Sequence, residues 1–306
     1  MTASPTRTSL RFFILLLLVN ILWSTTFATN KYLLSESIGV PSLALVRHVI
    51  AASVVLLVVV WRRIPFPRGR DLLAACVLGL LGHAGAIPVE YFGTRLTTAS
   101  NVSVLIATEA AQCVILSAVL LGEKISRRKV LALCLSLGGA GLVLWKDVRH
   151  VSLLGPGTVQ GDLLILSAAV LYALYTINAK RLVARCHPYS VFAVACLFAS
   201  GLLLVWAAPE LNEHPPWTYS LRLWWWIFYL AVPCLAIPVI LYYGILRHLS
   251  AGVVGSSLFL QPLLGVVCAA VFLGERIEGL LVVGGFVILL GLYVMVSGDR
   301  ADRATS

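Results

Sequence analysis

The sequence predicts an all-α membrane protein whose ten transmembrane helices form two inverted five-helix repeats. Three observations lead to this prediction: the composition, a duplicated eight-residue stretch, and the number of apolar runs in each half. Of the 306 residues, 60% are hydrophobic and only 12% are charged, and the mean hydropathy is +0.96. A soluble domain of this length cannot bury so much apolar surface.

Apolar runs of about 20 residues recur along the chain, and each can cross a hydrocarbon core of about 30 Å as a helix. The alternation of apolar and polar residues that is typical of strands is absent, which favours helices in lipid. The predicted helices cover approximately residues 12–34, 41–61, 71–92, 98–121, 130–145, 161–182, 189–208, 223–246, 251–273 and 279–297.

A duplicated stretch divides the chain into halves. Residues 118–125 read AVLLGEKI and residues 270–277 read AVFLGERI, with six of eight positions identical and a spacing of 152 residues. We therefore expect a first repeat at 1–145, a linker at 146–160, a second repeat at 161–297 and a polar, disordered tail at 298–306. Five helices per half is an odd number, so the repeats are inverted, which supports alternating access around a site at the midplane.

The basic residues predict the orientation. Sixteen Lys and Arg residues lie on the side that carries both termini and six lie on the other, with Arg47 inside a helix. By the positive-inside rule both termini are cytoplasmic, and we expect the bacterial inner membrane. The net charge of +10 thus reflects topology, and we expect no nucleic-acid partner. The seven cysteines form no CxxC motif and accompany no His-rich cluster, so neither a metal nor a cofactor is expected.

Several motifs resemble one family. Residues 23–27, WSTTF, are similar to an early WGS-type motif, and Pro41 followed by Arg47 fits the same pattern. So do the LGE endings at Glu123 and Glu275 and the Gln261-Pro262 pair. The chain resembles the EamA branch of the drug/metabolite transporter superfamily over residues 12–297. The resemblance implies ten helices in two inverted repeats and export of small metabolites. Two sites depart from the family pattern: Ala110 replaces a common Pro after Glu109, and Gln261 replaces a common Glu.

Polar groups inside the predicted helices are the candidate site residues, since they are costly in lipid and usually face the bundle interior or a cavity. In predicted helix 4, Asn101, Thr108 and Gln112 share a face, with Glu109 one step round. This stripe predicts either a cavity wall or hydrogen bonds between helices. In predicted helix 9, Gln261 follows Ser257 by four residues on one face.

Three ionisable groups are candidates for proton coupling, namely Glu109, Glu90 and His83. His83 and Glu90 share a face of predicted helix 3. His83 fits a packed histidine as well as a proton carrier, and Glu90 lies close enough to the helix end to reach the interface. Arg47 is expected to form a structural ion pair or reach the outer surface, with substrate contact as the alternative.

The resemblance places five aromatic residues in helices around the cavity, namely Trp23, Tyr172, Tyr175, Tyr242 and Tyr243. Of these, Trp23, Tyr172, Tyr175 and Tyr243 are the predicted substrate contacts, together with Asn101, Thr108, Gln112 and Gln261. Each aromatic ring alone fits packing, but together they offer stacking faces for an aromatic or cationic solute. Glu123 and Glu275 sit at helix ends beside basic residues, and we interpret them as structural caps or ion-pair partners.

The function that these observations and the resemblance favour is a secondary transporter that exports small organic metabolites, such as amino acids, by alternating access. The alternative within transport is a proton-coupled multidrug or organic-cation exporter. A non-transporting scaffold or receptor is less favoured, because it needs no polar stripe. No enzyme motif is present, and the sequence has no Walker loop for ATP. The expected partners are a small-molecule substrate, the lipid bilayer and protons. Glycines in predicted helices 5 and 10 fit either intrachain packing or a homodimer face.

Overall fold

The computed structural model describes residues 5–36, 38–109, 158–248, 260–277 and 279–304, with scattered positions between 111 and 142. In these residues the chain is helical and contains no strand. The helices are α1 (Pro5–Ser35), α2 (Val40–Trp61), α3 (Arg70–Leu96), α4 (Ala99–Ile106), α5 (described residues of Val130–Gly139), α6 (Thr158–Val183), α7 (Pro188–Glu213), α8 (Leu221–Leu246), α9 (Leu260–Leu273) and α10 (Gly279–Ala304).

Six of these helices are long and apolar enough to cross a membrane, and α5, α9 and α10 contain shorter apolar stretches. The prediction of a helical, multi-pass membrane protein is therefore confirmed. Glu123, Ser257 and most of the predicted linker lie outside the described residues. Residues 158–160 of that linker already belong to α6.

The predicted ends of helices 7 and 10 are wrong. The sequence predicted a loop from Pro209, but α7 continues through this proline to Glu213. Pro209 removes one backbone hydrogen bond, and the next turn is held by Glu210, whose carboxylate accepts from the Ser42 N–H of α2 at 3.3 Å. The predicted disordered tail is also helical as far as Ala304, since its Ala and Arg residues have high helix propensity.

Helices α3 and α8 are each interrupted by wider π-helical turns, at Gly79–Ala86 and Val232–Ala236. Both segments are followed by an Ile-Pro pair, Ile87-Pro88 in α3 and its equivalent in α8. Proline has no backbone N–H to donate, and its ring crowds the carbonyl four residues earlier, so a regular α-turn is disfavoured here. The sequence carries a sign of this shared geometry, since AIPV occurs at both 86–89 and 236–239.

The helices that surround the centre of the molecule pack in pairs. Helix α2 lies along α7, α1 lies along α9, and α4 packs against both α6 and α9. The second half of α3 packs against α6, and that of α8 against α1. The close approach of α3 to α6 needs Gly82, since a Cβ there would come within 2.5 Å of the Tyr175 ring.

Helix ends near α4 are capped by charged side chains. Glu275 accepts hydrogen bonds from the backbone N–H groups of Ala99 and Ser100 at 2.8 and 3.0 Å and from the Ser100 hydroxyl at 2.7 Å. The Lys31 ammonium donates to the Thr94 carbonyl at 2.9 Å. Both charges have the sign that complements the helix dipole. The interpretation of Glu275 as a cap is confirmed.

Candidate functional site

A cavity of about 130 Å³ lies among α1, α2, α3, α6, α8, α9 and the end of α4. Its wall is partly aromatic and aliphatic and partly charged. Of the predicted site residues, eight line it: Trp23, Arg47, His83, Glu90, Glu109, Tyr172, Tyr175 and Gln261. The other described residues of the wall are Thr26, Phe27, Gly82, Ile87, Ile106, Thr176, Cys234, Leu235, Val239 and Tyr242.

Arg47 supplies the positive charge of the wall. Its side chain is only 4% exposed, so it does not reach the outer surface. Nε donates to the Leu230 carbonyl at 3.0 Å, and Nη1 donates to the Tyr91 hydroxyl at 2.6 Å. Within the described part of the chain no carboxylate lies at salt-bridge distance from Arg47. The predicted ion pair is therefore replaced by neutral acceptors, although Glu90 is near enough to interact electrostatically.

Glu90 supplies one of two negative groups. It accepts from the Tyr172 hydroxyl at 2.6 Å and from the Asn30 amide at 3.4 Å. The side chain is 6% exposed, and the expectation that it reaches the interface is wrong. The reason is that α3 extends to Leu96, beyond the predicted end at 92, which leaves Glu90 well inside the bundle.

Glu109 supplies the second negative group. Its Oε1 accepts from the Thr176 hydroxyl of α6 at 3.0 Å, and the side chain lines the cavity. Glu90 and Glu109 are close enough to interact electrostatically. The described wall therefore carries one guanidinium, which donates to acceptors of α8 and α3. It also carries two carboxyl groups, which accept from hydroxyl and amide donors of α1 and α6.

The predicted polar stripe of helix 4 differs from the structure. Helix α4 ends at Ile106, and Thr108 N–H bonds back to the Leu105 carbonyl in a tighter turn before helix resumes at Glu109. This break rotates the later residues relative to Asn101. Glu109 therefore faces the cavity, while Asn101, Thr108 and Gln112 are not among its described lining residues.

Asn101 of α4 and Gln112 of the helical segment that follows it instead bond to α6. The Asn101 amide donates to the Asp162 carboxylate at 3.1 Å, and the Gln112 amide donates to Thr108 Oγ1 at 3.1 Å and to the Leu166 carbonyl at 3.5 Å. Of the two alternatives for this stripe, hydrogen bonding between helices is the one that the structure describes.

Among the aromatic candidates, Tyr243 does not line the cavity, whereas its neighbour Tyr242 does. Tyr243 is fully buried, and its hydroxyl bonds to that of Tyr175. Tyr242 lines the wall and packs on Trp23 with ring centroids 5.3 Å apart. Adjacent residues of a helix point about 100° apart. At this pair it is Tyr242 that faces the cavity, and the sequence does not indicate which of the two does so.

Gln261 and His83 complete the predicted polar wall. The Gln261 amide donates to Asn20 Oδ1 at 3.2 Å and so links α9 to α1. His83 is buried, and its ring packs edge-on against Tyr175 and Phe192. Sequence reasoning missed His48, which lies 3.3 Å from His83. Its position next to Arg47 inside an apolar run was the available indication.

A bundle of apolar helices around a central charged cavity defines a multi-pass membrane protein that can accommodate a small solute. The sequence model of the EamA-like transporter family matches residues 10–145 and again 159–297. The chain therefore belongs to the EamA-like transporter family, and it is a membrane transporter.

Relatives span nearly the whole chain. An uncharacterized transporter of Archaeoglobus fulgidus is 26% identical, covering 92% of this chain and 96% of the relative. A probable terminal-alkyne amino-acid exporter of Streptantibioticus cattleyicolor is 26% identical, covering 95% and 96%. A probable amino-acid metabolite efflux pump of Escherichia coli is 25% identical, covering 66% and 69%. A crystal structure with 19% identity superposes with a TM-score of 0.66 and covers 97% and 99% of the two chains, which shows the likeness of fold.

Proposed function

We propose that this transporter exports a zwitterionic small metabolite, an amino acid or a close relative, across the bacterial inner membrane. The observation that carries the proposal is the pairing of opposite charges in one cavity. Arg47 can take a substrate carboxylate, because a guanidinium binds carboxylates in a fork geometry. The carboxylate of Glu90 can take a substrate ammonium, and Glu109 is the candidate for proton coupling. The rings of Trp23 and Tyr242 offer faces for the remainder of the solute.

The names of two relatives support the choice of substrate class. One is a probable exporter of a terminal-alkyne amino acid and another a probable amino-acid metabolite efflux pump. The cavity of this chain fits such solutes, since its wall is largely apolar apart from a few convergent polar groups, as is typical of small-molecule sites.

Alternating access between two inverted repeats is our proposed mechanism, with repeats at 1–145 and 161–297 joined by the linker 146–160. The same family model matches the chain twice. The packing of α1 on α9 has a counterpart in α6 on α4, and α2 lies along α7. Both α3 and α8 carry a π segment followed by Ile-Pro. These correspondences support a pseudo-two-fold arrangement in which one half rocks against the other around the cavity.

The proposed orientation places both termini and the polar tail 298–306 in the cytoplasm. The support is the distribution of sixteen basic residues on one side against six on the other. If the tail faced the periplasm, the side with sixteen basic residues would be periplasmic, which is the reverse of the positive-inside rule.

A thermal-shift screen of the purified protein tests the substrate class, because a ligand of the folded state raises the apparent stability. The panel contains L-amino acids, the matching amino-acid amides, which lack the carboxylate, and the matching carboxylic acids, which lack the amine. We expect the zwitterions to raise the melting temperature in a concentration-dependent way and both incomplete analogues to raise it less. Stabilisation by the amides alone would contradict the proposal.

A proton-coupled organic-cation or multidrug exporter is the second candidate. The observation that favours it is the excess of carboxyl groups, Glu90 and Glu109, over the single guanidinium of Arg47. In that case Glu109, Glu90 or His83 would bind a proton when the cationic substrate leaves and release it when the next substrate binds. Stabilisation by quaternary ammonium compounds, with no response to amino acids, would favour this function over the first.

A further inference from the structure

Two histidines form a buried pair at the cavity wall. His48 of α2 and His83 of the π segment in α3 have ring centroids 5.2 Å apart at an interplanar angle of 73°. Nε2 of His48 lies 3.3 Å from Nδ1 of His83. His48 is fully buried and His83 is 2% exposed. His83 lines the cavity, whereas His48 stands behind it.

The backbone determines which nitrogens of the neutral pair carry hydrogen. Nδ1 of His48 lies 2.6 Å from the Ala44 carbonyl, and a carbonyl only accepts, so Nδ1 carries the hydrogen. A neutral imidazole has one N–H, and Nε2 of His48 is therefore an acceptor. The contact between the rings is then a hydrogen bond only if Nδ1 of His83 donates. The remaining nitrogen, Nε2 of His83, is left as a bare acceptor.

Nε2 of His83 is buried and has no hydrogen-bond partner in the described part of the chain. Buried polar atoms without a partner are rare in proteins, and each needs a physical explanation. At the wall of a cavity, a bound ligand can supply the missing contact. The other functional groups of the wall have partners: Glu90 accepts from Tyr172 and Asn30, and Glu109 accepts from Thr176. Nε2 of His83 is thus a buried acceptor of a lining residue for which the described part of the chain supplies no partner.

We propose that Nε2 of His83 accepts a hydrogen bond from an N–H of the substrate amine, and that His48 is the positioning residue that fixes the required tautomer. This inference rests on the proposed function and narrows its substrate class. Carboxylates such as Glu90 attract any cation, whereas a neutral, directional acceptor recognises only an amine that still has a hydrogen. The site therefore selects primary and secondary amines over quaternary ammonium groups. Because the nitrogen is enclosed, the contact forms with a small side-chain adjustment of the kind common on binding.

Nitrogen-15 NMR of protein with labelled histidine tests the tautomers without any substrate. The chain has six histidines, and the variants His48→Leu and His83→Leu assign the two resonance sets. We expect both residues to carry hydrogen on Nδ1 with Nε2 unprotonated. In His48→Leu the His83 ring loses its acceptor, and we expect a mixture of tautomers. Hydrogen on Nε2 of His83 in the wild-type protein would overturn the inference.

Binding of two probes tests the selectivity, with L-phenylalanine and its N,N,N-trimethyl derivative titrated into protein that elutes as a folded species. The wild type should bind the primary amine at least about tenfold more tightly, which is the size expected for one hydrogen bond to a charged donor. His83→Leu should abolish this preference, and His83→Gln, which keeps an acceptor oxygen, should retain part of it. His214→Leu, at an exposed position, is the matched control and should behave as the wild type.

The failures can be told apart. An unchanged preference in folded His83→Leu protein overturns this inference and leaves the proposed function standing. Binding of neither probe by the wild type contradicts the proposed function for this substrate class and, with it, the assignment of a substrate amine to His83.

Discussion

Replacing Glu109 with glutamine separates proton coupling from substrate binding. The carboxyl group lines the cavity and accepts one hydrogen bond, from Thr176 Oγ1 at 3.0 Å. Glutamine has the same length and keeps an oxygen acceptor, but it cannot bind or release a proton. A gradient-driven cycle that uses Glu109 should therefore stop, while exchange of substrate across the membrane, which needs no net proton movement, should continue.

The structural cost of this substitution is small. A hydrogen bond to a charged group contributes about 1.5–3 kcal/mol and a neutral one about 0.5–1.5 kcal/mol, so the expected loss is about 1 kcal/mol. A change of this size alters an equilibrium about fivefold. We expect the rate of substrate exchange by Glu109→Gln to lie within about a factor of five of the wild-type rate. Gradient-driven export should fall to the level of liposomes that contain no protein.

The assay uses proteoliposomes loaded with a labelled amino acid, with and without an imposed pH gradient. Thr176→Val is the matched control, because it removes the same hydrogen bond and keeps the carboxyl group, so gradient-driven export should persist. Wild-type export rates and an unchanged pH profile in Glu109→Gln would refute the coupling role, and Glu90 and His83 would then be the groups to test.

Three further outcomes are expected. Arg47→Met should weaken binding of an amino acid about tenfold or more but leave the affinity for its amide unchanged, as measured by thermal-shift titration. Glu275→Gln should lower stability by about 1–3 kcal/mol, because backbone N–H groups at the start of α4 lose a charged acceptor, whereas Glu213→Gln at an exposed position should not change the melting temperature. His187 lies in the loop before α7 and caps the start of that helix. Partial burial and two nearby arginines lower the pKa of His187. Since the unfolded chain takes up the proton first, stability should fall as the pH drops below about 6.5, and His187→Asn should remove this pH dependence of the melting temperature.

The membrane class and the family were predictable because they depend on composition and on repeated motifs. Polar residues inside apolar runs also indicated much of the cavity, since such groups are retained only where they are solvated or paired. Glu90, Glu109 and Gln261 were identified on this basis, and all three line the cavity.

The stripe on helix 4 was not predictable in detail, because it depended on an unbroken helix. The turn at Ala107 and Thr108 contains neither Gly nor Pro, so its sequence gives no warning of a break. The π segments were missed for a related reason: a wide turn changes the face on which later residues lie without interrupting the apolar run. The choice between Tyr242 and Tyr243 depends on this local geometry.

The charged cavity, in our proposal, carries a zwitterion across the membrane. Counterflow in proteoliposomes preloaded with unlabelled L-phenylalanine tests this claim most directly, with labelled L-phenylalanine and labelled L-phenylalanine amide offered outside in parallel. We expect transient accumulation of the amino acid by the wild type, little accumulation of the amide, and loss of amino-acid accumulation in Arg47→Met. Equal accumulation of both compounds, or full activity of the Arg47→Met variant, would contradict it.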